Sequence, residues 1–354
     1  MDLHGGNIYA LEREGKREIL DYSSNINPIG VPESLKKAVE ENFSVLERYP
    51  DINYTELREN IGEYNGINEK NIIVGNGATE VLFLFAKALS PRKVLIVSPT
   101  FAEYERAFRN VGCKIDYFEL KESEDFVIDL KRFIETAKNY DVAVICNPNN
   151  PTGKFISKNT IFEINNELKK AGAKLFLDEC FIEFIKEWKE KSAADFSSDN
   201  IFILRALTKF FALPGLRLGY GICFDEKLLS KIEEIREPWS VNGFADLAGK
   251  VILKDEEYIK NTENWIEAER KWFTESLKEI EKSEKIKVYN TETNFILIKL
   301  KNMTSEIFKM KMTEKNILVR DASNFKFLDN HYVRLAIKDR EKNMKVIKAM
   351  KEVL

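Results

Sequence analysis

Lys209 occupies the position in this sequence that most strongly suggests chemistry. It follows the apolar run 201–204, which predicts a buried strand, and it precedes a loop marked by Pro214 and Gly215. Ligands in open α/β folds bind at the carboxyl ends of parallel strands, so a lysine amine placed there is suited to carry a cofactor. On this segment alone, a surface lysine that pairs with a carboxylate remains the plain alternative.

A glycine-rich turn is the second candidate. The run Gly75-Asn76-Gly77-Ala78-Thr79 follows a predicted strand and opens a predicted helix at Thr79. Free backbone N–H groups and the positive end of the helix dipole favour a phosphate there, and the glycines allow close backbone approach. A plain strand-to-helix turn capped by Thr79 explains the same residues. The spacing matches neither the Walker loop nor GxGxxG, which disfavours nucleotide binding.

Two further polar residues follow predicted strands. Asp178 comes directly after the apolar run 174–177, and Asn150 lies in the turn-rich segment 146–153. Alternatives stay open, because Asp178 could bind a metal, Glu179 could cap the next segment, and Asn-Pro pairs form turns by themselves. Four such motifs at the carboxyl ends of parallel strands nevertheless converge on one crevice.

The composition is that of an ordinary globular protein acting on small molecules. The 354 residues are 44% hydrophobic and 32% charged, with a formal charge of -3, and give no basic field for nucleic acid. Four cysteines without CxxC spacing read as reduced core residues of a cytosolic protein, and His4 and His331 are too few for a His-rich metal centre. No apolar stretch has membrane-span length and the amino terminus lacks a signal-peptide pattern. We therefore expect a cytoplasmic protein without a bound metal and without nucleic-acid or membrane partners.

Alternating strand and helix patterns predict a mostly parallel sheet in the middle of the chain. The predicted strands are 71–74, 93–97, 114–118, 142–146, 174–177, 201–204 and 217–223, with helices at 79–89, 102–111, 130–139 and 157–171. Ser157 is a candidate cap for the last of these helices. A long charged helix at 255–282 suits a link between two domains. Short strands at 286–289, 295–300, 317–319 and 332–336, with helices at 305–315 and 340–353, predict a smaller α+β domain.

Together these motifs resemble the fold-type I pyridoxal-phosphate enzymes, in the class-II aminotransferase branch that holds histidinol-phosphate aminotransferases and threonine-phosphate decarboxylases. The resemblance covers nearly the whole chain and includes the segments 4–7, 25–28, 47–51, 214–220 and 238–242. It implies an α/β fold with a mostly parallel seven-stranded sheet in a large domain and a smaller α+β domain. The implied divisions are an N-terminal segment at 1–40, the cofactor-binding domain at 41–254, and the linking helix with the small domain at 255–354.

The resemblance implies pyridoxal 5'-phosphate as the cofactor. Lys209 matches the lysine that forms the Schiff base, Asp178 the partner of the pyridine nitrogen, and Asn150 the partner of the ring hydroxyl. The other cofactor contacts that it implies are phosphate N–H groups from Ala78 and Thr79, a phosphate cup completed by Thr208 and Arg217, ring stacking by Phe101, and a phosphate contact from Tyr49 across the boundary of a homodimer.

The resemblance also implies substrate contacts. Arg334 matches the arginine that clamps the α-carboxylate, a task that suits its forked donors, and Arg320 matches one that binds a substrate phosphate. His4 and Asn27 lie in segments that fold over the substrate in the relatives, and Asn150 is near enough to contribute. Without the resemblance, an arginine on a strand such as Arg334 is more often a solvated edge residue.

Two departures from the family pattern bear on function. Ala206 stands where many relatives have a serine that bonds the cofactor phosphate, a loss of about 1.5–3 kcal/mol. Phe181 stands where the aminotransferases have a tyrosine, and the decarboxylases share the phenylalanine. We therefore expect decarboxylation of L-threonine O-3-phosphate to (R)-1-aminopropan-2-ol O-phosphate, a cobalamin precursor. The alternatives are a histidinol-phosphate or related class-II aminotransferase and a non-catalytic protein of the same fold.

Overall fold

The computed structural model describes residues 4–354, so residues 1–3 of the expected N-terminal segment lie outside the described part of the chain. The strands are β1 Leu20–Asp21, β2 Ile72–Gly75, β3 Lys93–Ser98, β4 Lys114–Glu119, β5 Val142–Cys146, β6 Lys174–Asp178, β7 Ile201–Ala206, β8 Gly219–Cys223, β9 Ile286–Val288, β10 Phe295–Leu300, β11 Ile317–Leu318, β12 Arg320–Asp321 and β13 Tyr332–Ala336. The helices are α1 Ile8–Arg13, α2 Glu33–Glu41, α3 Thr55–Asn65, α4 Ala78–Leu89, α5 Glu103–Asn110, α6 Leu130–Ala137, α7 Lys158–Lys170, α8 Trp188–Lys191, α9 Glu226–Ile235, α10 Gly243–Ile252, α11 Glu256–Glu281, α12 Ser305–Glu314 and α13 Arg340–Val353.

A seven-stranded sheet forms the centre of the molecule, in the order β2-β8-β7-β6-β5-β3-β4. Neighbouring strands from β7 to β4 run parallel, while β8 is antiparallel to both β2 and β7. Every residue of β5 and β7 is buried, as expected for strands covered by helices on both faces. The predicted seven-stranded, mostly parallel sheet is therefore confirmed.

The predicted helix ends agree closely with the caps that the structure shows. Ser157 Oγ accepts a hydrogen bond from the N–H of Thr160 over 3.2 Å, so Ser157 caps α7. Asp255 caps the 26-residue helix α11 by accepting from the N–H of Tyr258 over 3.0 Å. Side-chain acceptors at these positions satisfy N–H groups that have no partner within the helix.

Two short stretches differ from the predictions near the predicted lysine site. Arg217 lies before β8 rather than in it, because its φ of 63° is left-handed and does not fit a strand ladder. Helix α4 begins at Ala78 with Gly77 as its N-cap, and Thr79 provides no cap. Arg217 and Gly77, both with a left-handed φ, therefore lie outside the regular elements at one end of the large sheet.

A second, antiparallel sheet has the order β12-β13-β10-β9. Strand β1 pairs in parallel with β11, and the backbone of Tyr22 continues the contact by bonding to Leu318 (2.8 Å) and Ala336 (2.9 Å). The N-terminal segment is thus hydrogen-bonded to the chain around the small sheet. The exact domain boundaries at residues 40 and 254 stay a prediction.

Aromatic packing anchors the large sheet from one face. Phe85 of α4 lies 4.8 Å from Phe176 of β6 and 4.7 Å from Phe202 of β7, measured between ring centroids. Burial of each such ring contributes about 1.5–3 kcal/mol.

All four cysteines are buried and free. None of the helices in residues 4–354 combines the length and apolar character needed to cross a bilayer.

Candidate active site

The carboxyl ends of the parallel strands open into a cavity of about 420 Å³. The sequence-predicted site residues that line it are His4, Ala78, Thr79, Phe101, Asn150, Asp178, Thr208, Lys209, Arg217, Arg320 and Arg334. They come from the N-terminal segment, from loops of the large sheet and from the small sheet. Folding therefore brings together residues that lie up to 330 positions apart in the sequence, from His4 to Arg334.

Lys209 extends into this cavity from the loop that follows β7, where it is partly buried. Burial, with a contribution from the positive charges of Arg334 and Arg217, lowers the pKa of its amine to about 8. In the part of the chain that the structure describes, no hydrogen bond or ion pair engages the Lys209 amine. An amine with this pKa is partly unprotonated near neutral pH and is suited to act as a nucleophile.

Asp178 is held as a hydrogen-bonded carboxylate at the end of β6. The hydroxyl of Tyr104 donates to its Oδ2 over 2.5 Å, and the N–H of Cys180 donates to its Oδ1 over 2.8 Å. Burial raises the pKa of Asp178, and the bonds from Cys180 and Tyr104 oppose that rise. A buried carboxylate facing a cavity fits a cationic partner such as a protonated ring nitrogen.

The start of α4 forms a cradle for an anion. Gly77 has a φ of 82°, and a Cβ added there would lie 2.4 Å from Nη2 of Arg217. A Cβ on Gly219 would lie 2.2 Å from the N of Ala78. Glycine at both positions therefore lets a guanidinium and a helix start come together, an arrangement that fits a phosphate group. The residue at position 206 in the same lining is an alanine without a donor.

Arg334 is buried at 5% exposure on β13, between β10 and β12, and so is not the solvated edge residue of the plain reading. Its Nη1 donates to Asn150 Oδ1 over 2.5 Å and its Nη2 to the carbonyl of Ser23 over 2.6 Å. Among the described residues its buried Nε has no partner. Burial, with the nearby charge of Arg320, lowers the pKa of Arg334 to about 9. A buried cation with an unmet donor fits an anionic ligand.

Arg320 lies beside Arg334, since the two residues are paired in the register of β12 and β13. Its guanidinium donates to the carbonyl of Asp321 over 2.5 Å and to Asn324 Oδ1 over 2.7 Å, and the side chain lines the cavity. Two neighbouring guanidinium groups make this end of the cavity selective for anions.

His4 closes the cavity from the N-terminal segment. Its Nε2 lies 3.0 Å from Oε1 of the buried Glu103, and its ring centroid lies 5.7 Å from that of Phe101. Arg106 contacts the other carboxylate oxygen of Glu103 over 3.3 Å. Glu103 and Tyr104 were not among the predicted site residues. They could have been predicted from their positions two and three residues after Phe101, on helix α5, which begins at the site.

Two predicted site residues do not line the cavity. The amide of Asn27 donates to the carbonyl of Phe210 (2.8 Å) and to Thr262 Oγ1 (2.9 Å), and so supports the Lys209 loop. Its contact with the substrate stays a prediction. Tyr49 is 76% exposed and stacks on Trp239 with 4.5 Å between ring centroids. Its contact across a subunit boundary stays a prediction.

Comparison with known proteins identifies the family. The family described as aminotransferase class I and II matches residues 17–350. The chain belongs to this family. The match spans both sheets and every cavity residue described above except His4.

Relatives similar to this chain include proteins named as threonine-phosphate decarboxylases. One, from Caldanaerobacter subterraneus subsp. tengcongensis and provisionally so named, is 43% identical over 98% of this chain and 93% of its own length. The other, from Salmonella typhimurium, is 34% identical over 99% of this chain and 96% of its own length. A solved structure titled histidinol-phosphate aminotransferase from Clostridium acetobutylicum superposes with a TM-score of 0.88 at 36% identity, covering 95% of this chain and 99% of that one. The chain is thus similar to proteins of both names over nearly its full length.

Proposed function

We propose that this protein is a pyridoxal-phosphate-dependent carboxy-lyase that converts L-threonine O-3-phosphate to (R)-1-aminopropan-2-ol O-phosphate, a precursor of cobalamin. The observation that carries the proposal is the single cavity in which the amine of Lys209 faces the carboxylate of Asp178 and the guanidinium pair Arg320 and Arg334. The two relatives named as threonine-phosphate decarboxylases support the reaction type.

The cavity residues fit the cofactor group by group. Arg217 and the N–H groups at Ala78 and Thr79 would hold its phosphate, while the carboxylate of Asp178 would hold a proton on its ring nitrogen. The unprotonated amine of Lys209 would attach to it. When bound, pyridoxal phosphate supplies an electron sink for the bond that breaks at the substrate Cα.

The substrate would be oriented by the two arginines at the opposite end. Arg334 would bind the α-carboxylate with its forked donors, and Arg320 with His4 would bind the phosphate; all three residues line the cavity. By fixing the phosphate and the carboxylate, these residues would set which bond at the substrate Cα is oriented to break when the cofactor is bound. After carbon dioxide leaves, Lys209 is positioned to return a proton to Cα.

Phe181 supports decarboxylation over amino transfer. Its ring packs edge-on against Phe295, with 5.1 Å between centroids, and it offers no hydroxyl to the cavity that it lines. The likeness to the solved aminotransferase favours histidinol-phosphate amino transfer as the second candidate.

We further propose a cytoplasmic homodimer in which Tyr49 reaches the neighbouring site. The support is that the segment around Tyr49 exposes the apolar side chains of Phe43, Leu46 and Ile52, and that the exposed Trp239 packs against Tyr49. Isolated large apolar side chains are common on surfaces, but a cluster of them is typical of an interface between subunits.

The decisive experiment measures carbon dioxide released from carboxyl-labelled L-threonine O-3-phosphate by the cofactor-loaded protein. The expected result is one carbon dioxide per amine phosphate formed, with unphosphorylated threonine as the control that turns over slowly. Amino transfer from histidinol phosphate to 2-oxoglutarate, without carbon dioxide from the phosphothreonine, would instead establish the second candidate.

A further inference from the structure

Tyr104 contacts the carboxylate of Asp178 from within the protein. Its hydroxyl donates to Oδ2 over 2.5 Å, while the other oxygen, Oδ1, accepts from the N–H of Cys180. The side chain of Tyr104 is 0% exposed, so water does not compete for this bond from outside. Each oxygen of Asp178 thus accepts a hydrogen bond from the protein, and the thiol of Cys180 is a further partner of the carboxylate. The hydroxyl of Tyr104 can be removed by mutation without changing the backbone around Asp178.

Packing fixes the direction of that hydroxyl. The ring of Tyr104 meets Phe101 at 82° with 5.7 Å between centroids and meets Phe176 at 65° with 6.2 Å. Phe176 lies on β6, two residues before Asp178. The aromatic contacts on two sides hold the ring in one orientation, with its hydroxyl on the carboxylate. Tyr104 therefore connects the predicted ring-stacking residue to the predicted ring-nitrogen partner.

The charge balance around Asp178 depends on donors of this kind. Burial raises the pKa of Asp178, which favours its neutral form, and the hydrogen bonds from Cys180 and Tyr104 favour the ionised form. Burial also raises the pKa of Tyr104 well above its usual value, so the phenol stays a donor over the working pH range. The other titratable groups that face Asp178 are Cys146, Cys180, Arg205 and Lys209.

We infer that Tyr104 is a positioning residue that acts through Asp178: its hydroxyl keeps the carboxylate ionised and oriented, and the ionised carboxylate keeps the cofactor ring nitrogen protonated. The inference rests on the proposed function, because it requires pyridoxal phosphate in the cavity. A donor to a carboxylate stabilises the charged form over the neutral one. Without the hydroxyl of Tyr104, the proton on the ring nitrogen would move to the carboxylate of Asp178. The N–H bond would break, an O–H bond would form, and no other reactant would be needed.

The test uses pyridoxal phosphate labelled with ¹⁵N at the ring nitrogen, bound to the wild-type protein and to Tyr104→Phe. The ¹⁵N chemical shift reports protonation of that nitrogen directly. The wild type is expected to show the protonated position. In Tyr104→Phe the resonance is expected to move towards the unprotonated position. The equilibrium constant for proton transfer from the ring nitrogen to Asp178 is expected to rise by about tenfold to a hundredfold. An unchanged resonance would overturn the inference.

Tyr289→Phe is the matched control, because it also removes a hydrogen bond from a buried phenol to a carboxylate, that of the half-buried Glu122. Tyr289 is 1% exposed and donates to Glu122 Oε1 over 2.6 Å, away from the cavity. The wild-type resonance is expected in this variant. A similar displacement in Tyr289→Phe would show a general effect of losing a buried hydroxyl and would overturn the specific role of Tyr104.

A double mutant separates positioning from folding. In an Asp178→Asn background, adding Tyr104→Phe is expected to change neither the resonance nor the cofactor affinity further, because Tyr104 acts through Asp178. Additive losses would overturn the inference. Failure of the wild type to take up pyridoxal phosphate would overturn the proposed function itself as well.

Discussion

Two walls of the same cavity are built in different ways. The sheet wall consists of Asn150, Asp178, Thr208 and Lys209, which lie within four residues of the ends of β5, β6 and β7. The cap wall consists of His4, Ser23, Arg320 and Arg334, which come from the N-terminal segment and the small sheet. Strand ends fix the first set through the backbone, whereas long side chains and hydrogen bonds fix the second. We infer that the sheet wall supplies chemistry common to the family and the cap wall supplies selectivity.

The bond between Arg334 and Asn150 joins the two walls. Arg334 also reaches the carbonyl of Ser23, so one guanidinium contacts the sheet wall, the N-terminal segment and, in the proposed function, the substrate. Variants of the sheet wall, of this link and of the cap wall should therefore fail in three distinguishable ways.

Lys209→Ala is expected to have the largest effect. Decarboxylation should fall by about 10³-fold or more, because the variant loses both the nucleophile and the group that moves a proton at Cα. The near-visible absorbance of the covalently held cofactor should be lost. Lys338→Met is the control, since Lys338 is also a partly buried lysine whose pKa burial lowers to about 8, but it does not line the cavity. It should keep that absorbance; losing it equally would contradict a special role for Lys209.

Arg334→Lys is expected to have an intermediate effect. Loss of the fork leaves Asn150 and Ser23 without their donors and weakens carboxylate binding, so kcat/KM should fall by about 10²-fold. The affinity for pyridoxal phosphate should change little. The measurement is steady-state kinetics beside cofactor titration, with Arg340→Lys on the surface of α13 as the control. A loss of cofactor affinity as large as the loss of kcat/KM would show that the two walls do not have separate roles.

Arg320→Gln is expected to have the smallest and most selective effect. The rate with L-threonine O-3-phosphate should fall about tenfold to a hundredfold, which corresponds to the loss of one or two charge-assisted bonds. The slow reaction with unphosphorylated threonine should not change, because it offers no phosphate to Arg320. Comparing kcat/KM for the two compounds checks this selectivity. An equal loss with both would show that Arg320 does not contact the phosphate.

The sequence predicted the sheet wall well for a physical reason. Most strands of the large sheet contain a short apolar run, and β2, β3 and β6 end on a glycine or a polar residue. That pattern is local. Asp178 and Lys209 could be identified because strand ends of a parallel sheet converge whatever the rest of the chain does. The two-residue strands β1 and β12 were not predicted, since they contain too few residues to show a period.

The partners of the site residues could not be predicted, because they depend on packing between distant segments. Tyr104 bonds to Asp178 across 74 positions, and His4 meets Glu103 across 99. The same limit explains Asn27, whose segment lies at the site while its amide is used by Phe210 and Thr262. Position along the chain identified the neighbourhood, and only the fold shows which way each side chain points.

The fate of the hydrogen on the substrate Cα tests the central claim most directly. Decarboxylation breaks the bond from Cα to the carboxylate and leaves the bond to hydrogen intact, whereas amino transfer breaks the bond to hydrogen. With L-threonine O-3-phosphate deuterated at Cα, the account predicts 1-aminopropan-2-ol O-phosphate that retains the deuterium and carries one hydrogen from solvent. Loss of the deuterium to solvent, with a keto acid as product, would contradict it.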